Sequence, residues 1–201
     1  KKRLIHYIIR QIQKMYGQEP LENEEYPAII NQRHFKRISG LINENKVIYG
    51  GKTDSTTLRI EPTVMDGITW DDAVMKEEIF GPVLPIMSYY DLREAAAAIE
   101  AQSSPLALYL FTRDKKRESY ILEKLSYGGG CINDTVVHLA TPYLPFGGVG
   151  QSGMGKYHGK ASFDTFTHEK SIVKKYNWID LPIRYMPYND LKLKLLKMFL
   201  K

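Results

Sequence analysis

Two adjacent carboxylates, an aromatic ring and a Gly-Pro pair stand directly ahead of an apolar run in Lys76-Glu77-Glu78-Ile79-Phe80-Gly81-Pro82-Val83-Leu84-Pro85-Ile86. Gly81-Pro82 predicts a sharp bend before a buried strand, because the proline ring fixes its own φ. Such a bend holds Glu78 and Phe80 at the rim of a sheet, where open α/β folds place their ligands. A carboxylate there accepts hydrogen bonds from ribose hydroxyls, and a neighbouring aromatic presses on a flat ring. The plain alternative is an ordinary helix-to-strand junction with Glu78 in solvent.

A second stretch invites different chemistry. Gly148-x-Gly150-x-x-Gly153 matches the dinucleotide fingerprint letter for letter. That fingerprint needs a strand before it and a helix after it in one βαβ unit. Pro142 and Pro145 precede it here and too little chain follows, so the expected structure is a flexible loop shaping a tunnel. The single thiol, Cys131, follows three glycines at the start of an apolar strand. In that setting a free thiol behaves as a small buried hydrophobe.

The elements that must position these residues alternate between helical and extended patterns. Leu4, Ile5, Ile8, Ile9, Ile12 and Met15 form the stripe of a helix running to about Tyr16 and stopping at Gly17. No Ser, Thr, Asp or Asn caps its start after Lys1-Lys2-Arg3, so the chain is expected to begin inside an element. Gln18 to Tyr26 reads as a loop. Asn31 can cap a second helix with Phe35, Ile38, Leu41 and Ile42 on one face. Strands follow at Lys46–Tyr49, over Leu58 to Met65 with Pro62 marking an irregular position, and from Val83 to about Ser88. Asp71 or Asp72 starts a helical turn, Asp91 an Ala-rich helix, and Asp114 a helix with Tyr120, Ile121 and Leu125 inward. Leu106–Phe111 is a continuous apolar run, as expected of a strand buried on both faces. Gly128–Asn133 leads a short strand to the sheet edge. Strands separated by helices argue for parallel βαβ units in a doubly wound, mostly parallel α/β sheet.

The wording of several blocks resembles a known family. Glu77-Glu78-Ile79-Phe80-Gly81-Pro82-Val83 resembles the cofactor-ribose motif of the NAD(P)-dependent aldehyde dehydrogenases. Pro145-Phe146-Gly147-Gly148-Val149-Gly150-Gln151-Ser152-Gly153-Met154-Gly155 is similar to that family's loop near the substrate tunnel. Ile132-Asn133-Asp134, Tyr157 to Asp164 and Ser171-Ile172-Val173-Lys174-Lys175 add to the likeness, which points to the class 3, or fatty-aldehyde, branch and to its C-terminal half.

The resemblance implies an enzyme portion that works with NAD or NADP and oxidises an aldehyde to a carboxylic acid. Glu78 matches the residue that holds the nicotinamide ribose, and Phe80 the aromatic beside it. Glu77 is the adjacent acid, with no contact assigned. His138 and Phe146 fall where the family lines its aldehyde entrance; a surface or hydrogen-bonded core histidine is the alternative for His138. Asn133 and Asp134 are expected to fix loop geometry. In this reading no catalytic residue lies in the chain: the nucleophilic cysteine, general-base glutamate and oxyanion-stabilising asparagine belong upstream of Lys1. The chain alone is therefore expected to be inactive. Residues 1–162 form a partial catalytic domain, 163–176 a bridging strand that adds to a partner subunit's sheet in a homodimer, and 177–201 a basic amphipathic tail. Two other readings stand beside it. One is a non-catalytic dimerisation or regulatory homologue, and the other a thiol hydrolase using Cys131 and His138.

Composition sets the frame for all of these. The chain has 201 residues and is 43% hydrophobic, enough to bury one good core. One cysteine excludes a disulfide framework and fits a reducing cytoplasm. From Lys170 onward eight Lys/Arg face two Asp, more than the whole net charge of +5, so the body is nearly neutral and the tail basic. No basic-aromatic stripe suggests nucleic acid, and no residue cluster suggests a metal. The tail helix from Asn189 is expected to touch an anionic membrane surface peripherally, to cap the tunnel, or to pack on a neighbouring subunit.

Overall fold

The computed structural model describes residues 1–199 and is a mixed α/β structure. Two compact units divide the chain, Lys1–Gln102 and Ser103–Lys201. Sequence reading sets a boundary at Ser162, whereas the compact units separate at the polar Gln102-Ser103-Ser104-Pro105 stretch that follows the Ala-rich helix.

In the first unit, α1 (Lys2–Tyr16) ends where Gly17 takes φ +83°, a conformation glycine adopts without steric cost. None of its residues is buried, and Leu4, Tyr7 and Met15 are exposed. α2 (Gln32–Leu41) starts at Asn31, whose side chain accepts from the His34 amide at 2.9 Å. Its inner face buries Phe35 and Ile38. These join Ile60, Met65, Ile68, Val74 and Val83 in the core.

Three strands make the unit's main sheet, in the order β1 (Val47–Tyr49), β4 (Thr63–Asp66), β5 (Val83–Ile86). β2 (Thr53–Asp54) and β3 (Arg59–Ile60) form a separate antiparallel pair. The irregular position expected at Pro62 is the break between β3 and β4. β4 runs antiparallel to β1 and parallel to β5, with Thr63 opposite Val83. The β4–β5 connection carries a single 3-10 turn at Ala73–Met75. The unit closes with α3 (Leu92–Glu100), started by Asp91 accepting from the Arg93 amide at 2.9 Å.

Tyr26 fastens the 18–26 loop to this core. Its hydroxyl donates to the Ile60 carbonyl at 2.6 Å, and its ring meets Tyr16 edge-on at 5.0 Å. Burial, reinforced by Tyr16 and Glu61, pushes its ionisation well above the ordinary tyrosine value. A raised folded-state value stabilises the protein at pH below the unfolded value of about 10 and is lost as pH rises through the folded one. Tyr26→Phe should therefore cost about 1 kcal/mol at neutral pH. It should also flatten the loss of stability above about pH 10. Thermal melts across pH check both, and parallel curves for the two proteins would contradict the second.

The second unit pairs β6 (Ala107–Leu110) and β7 (Gly129–Ile132) in parallel, joined by α4 (Lys115–Lys124) as a βαβ unit. Asp114 accepts from the Lys116 amide at 2.9 Å, and Ile121 and Leu125 are buried. β6 is not buried on both faces as the apolar run suggests: Tyr109 and Phe111 are exposed. The cause is layer count. β6 has one ladder neighbour, and α4 buries only Ile121, so one strand's worth of apolar surface goes uncovered.

α5 (Val137–Ala140), α6 (Gly159–Phe166) and α7 (Asp190–Phe199) complete the unit. The arm expected to be extended from Phe163 is helical through Phe166, and within it Thr165 and Thr167 turn their hydroxyls back to carbonyls four residues earlier, at 2.7 Å each. Residues 167–176 carry no assigned strand. α7 starts at Asn189, whose side chain accepts from the Lys192 amide at 2.9 Å. It leaves Leu191, Leu193, Met198 and Phe199 exposed. The last residues of the expected tail, Leu200 and Lys201, lie outside the described residues. Among the described residues no helix is long and apolar enough to cross a membrane, and no group of side chains could hold a metal ion.

Candidate functional site

Three bonds from one side chain hold the Glu77–Pro82 stretch. Arg37, on the outer turn of α2, donates to the Glu77 carboxylate at 3.0 Å, the Glu78 carbonyl at 3.2 Å and the Ile79 carbonyl at 2.7 Å. Gly81 lies so close to the fully buried Ile38 that a Cβ there would stand 2.8 Å from its Cδ1. The Pro82 carbonyl accepts from the Thr63 amide at 2.8 Å, feeding the stretch into the sheet beside β4. Backbone and Glu77 are thus committed to structure. Glu78 is exposed, and its carboxylate has no partner among the described residues.

Phe80 stands in the left-handed region at φ +51° with 80% of its surface exposed. A bulky residue pays about 1–2 kcal/mol for that conformation, and no burial offsets it here. Strain without packing gain marks a residue kept for something other than stability. Phe80→Gly should hold or raise the melting temperature. Within an enzyme using this site it should raise the cofactor KM about tenfold, the worth of one aromatic contact of about 1.4 kcal/mol. A fall in melting temperature would show that the ring packs after all.

In the second unit, His138 and Phe146 come together. Their ring centroids are 5.9 Å apart, and Tyr109 meets His138 edge-on at 5.7 Å. His138 is buried, with Nδ1 3.6 Å from the Cys131 sulfur and Nε2 without a partner among the described residues. The chain reaches this arrangement through a strained return after β7, with Asn133 at φ +57° and Val136 at φ +66°. Asn133 clips the two strands, accepting from the Thr112 amide and donating to the Thr112 carbonyl, both at 2.9 Å. Asp134 accepts from the Thr135 amide at 2.7 Å. Residues 146–157 form a loop closed by two Phe146–Tyr157 backbone bonds of 2.9 Å, and Gly150–Ser152 within it is one 3-10 turn. The strand–loop–helix setting of a dinucleotide fingerprint is absent among these described residues.

These motifs, in this order, are matched by the aldehyde dehydrogenase family over residues 1–172. The chain belongs to that family. Aldehyde dehydrogenase family 3 member H1 of Arabidopsis thaliana is 44% identical over 199 residues, covering 97% of this chain and 41% of that protein. The dimeric NADP-preferring aldehyde dehydrogenase of Rattus norvegicus is 42% identical over 172 residues, covering 86% of this chain and 38% of that protein. A substrate-bound structure of Staphylococcus aureus AldH superposes with a TM-score of 0.90 at 46% identity, over 100% of this chain and 44% of that one. The chain thus spans less than half the length of these aldehyde dehydrogenases, and its relatives include class 3 members.

Two residues escaped the sequence reading. Arg37 sits 40 positions from Glu77, and nothing local marks it as that acid's partner. His158 stands at φ +81° just before α6, with its ring 4.3 Å from Tyr157 and stacked 6.1 Å from Phe146. Gly159, directly after the histidine, is the local sequence signal of an unusual turn there.

Proposed function

We propose that this chain supplies one wall of the cofactor site and the aldehyde entrance of an NAD(P)-dependent aldehyde dehydrogenase that oxidises an aldehyde to a carboxylic acid. The observation that carries the reading is the Glu77–Pro82 stretch. Arg37 holds its backbone and the Glu77 carboxylate, and leaves the exposed Glu78 carboxylate and Phe80 ring without a partner in that network. A free carboxylate beside an exposed aromatic fits a ribose diol next to a flat ring. The nicotinamide, when bound, supplies the hydride acceptor. Glu78 would accept hydrogen bonds from the ribose hydroxyls and Phe80 would bear on the flat ring, so both would orient the group. His138 and Phe146 line the aldehyde's approach with an apolar, aromatic surface.

In this reading the nucleophilic thiol, the general base and the pyrophosphate site come from sequence outside the chain, and the isolated chain does not turn over. Residues 167–176 pair with a partner subunit's sheet edge in a homodimer. The basic α7, with its exposed leucines, rests on a neighbouring subunit, on an anionic membrane surface or over the tunnel of a cytoplasmic enzyme. The test is a chimera joining the preceding portion of Staphylococcus aureus AldH to this chain, assayed for NAD(P)H formation with medium- and long-chain aldehydes beside the chain alone. Turnover by the chimera and silence of the chain support the proposal. Turnover by the chain alone, abolished in Cys131→Ala, would replace it with a self-sufficient thiol enzyme.

A further inference from the structure

The Cys131–His138 pair takes no chemical step in the proposed oxidation, where His138 only lines the aldehyde's approach, yet it is not built as inert packing. A satisfied core histidine bonds both ring nitrogens. His138 is 93% buried, its Nδ1 meets only the Cys131 sulfur at 3.6 Å, and its Nε2 has no partner among the described residues. The imidazole lies flat against the strand because position 129 is glycine; a Cβ there would stand 3.0 Å from its Cδ2. Tyr109, opposite Cys131 in the ladder, meets His138 edge-on, and the tilted Phe146 ring lies on it as well. Cys131 itself is only partly buried.

We propose that Cys131, with His138 as its base, is a nucleophilic site that takes α,β-unsaturated carbonyl compounds by conjugate addition. The sulfur forms a bond to the β-carbon, the C=C π electrons move toward the carbonyl, and the thiol proton passes to His138 Nδ1 and then to the α-carbon. Nothing leaves, and no oxidant or reductant enters. The aromatic neighbours suit a flat conjugated chain, and the carbonyl oxygen supplies the acceptor that the orphaned Nε2–H lacks. The inference is independent of the aldehyde-oxidising reading, since it needs neither cofactor nor any residue outside this chain.

The test uses the full 201-residue chain, whose one cysteine makes adduct counting unambiguous. trans-2-Nonenal is added near neutral pH and adducts are followed by intact mass, with Cys131→Ser defining the background from amines. The folded chain should react about a hundredfold or more faster than the same chain in concentrated urea, the lower end of positioned general-base catalysis. An equal or slower folded rate overturns the proposal. His138→Phe, which keeps a ring against Tyr109 and Phe146, should drop to the unfolded rate, and an unchanged rate would equally overturn it. Should His138→Phe fail to fold, the folded-against-urea comparison on the unaltered chain decides alone.

Discussion

Glu78→Ala, in the chimera with the preceding portion of Staphylococcus aureus AldH, should lower kcat/KM for the nicotinamide cofactor by about a hundredfold. Charge-assisted hydrogen bonds are worth about 1.5–3 kcal/mol each. Loss of a pair to a ribose diol therefore removes about 3 kcal/mol, and each 1.4 kcal/mol is about a factor of ten. Folding stability should not move, because the Glu78 carboxylate is exposed and has no partner among the described residues to lose. Glu77→Ala should show the opposite balance. Its carboxylate bonds Arg37 at 3.0 Å, but the guanidinium keeps two carbonyl contacts, so the cofactor constants should change only a few-fold while stability falls slightly. Glu78→Gln, which keeps an acceptor oxygen without the charge, should fall between alanine and the native residue. Kinetics of Glu78→Ala matching those of the parent chimera would mean that Glu78 is the solvent-facing end of an ordinary junction.

What was legible in the sequence was local. Asn31, Asp91 and Asp114 announce α2, α3 and α4, since each cap bonds amides within three residues and the whole signal lies in one short window. The Gly81-Pro82 bend and the parallel β6–α4–β7 unit follow from punctuation and apolar runs in the same way. Burial of β6 failed because an apolar run reports what a strand could hide, whereas exposure depends on how many layers cover it. Phe163–Phe166 failed for a related reason: threonines at alternating positions look like a strand, yet in a helix their hydroxyls bond back along the same turn. The site divides along the same line. Glu78 and Phe80 were visible as residue types in a motif, but the guanidinium that holds the Glu78 and Ile79 carbonyls is 41 and 42 positions away. Cys131 and His138 were each visible as well. That one imidazole nitrogen would rest on the thiol and the other be orphaned depends on positive φ at Asn133 and Val136, which neither residue type advertises.

Gly128→Ala should be among the most damaging single methyls in the second unit. The Gly128 amide donates to the Pro105 carbonyl at 3.0 Å, and the next amide to Leu106 at 3.1 Å, so the backbone is anchored at the entry to β6. A Cβ at this position would collide with the Gly147 carbonyl and stand 2.6 Å from the Leu106 carbonyl. All of these are main-chain atoms, which cannot rotate away as a side-chain end does. Either the ladder or the 146–157 loop must move, at the upper end of overpacking costs, about 3 kcal/mol. The loop is the weaker partner, being held at its base by two Phe146–Tyr157 bonds. Its displacement carries Phe146 away from His138. Amide exchange at Phe146 and Tyr157 should therefore accelerate more than exchange within β7, and urea unfolding should shift by the full penalty. Gly150→Ala separates this clash from a general intolerance of the loop. Gly150 sits at φ +62° with open space around it, so only conformational strain of about 1–2 kcal/mol is expected. Equal exchange in Gly128→Ala and the native chain would mean that the loop does not rest on β7 in solution. The aromatic grouping of Phe146 with His138 would then lose its structural basis.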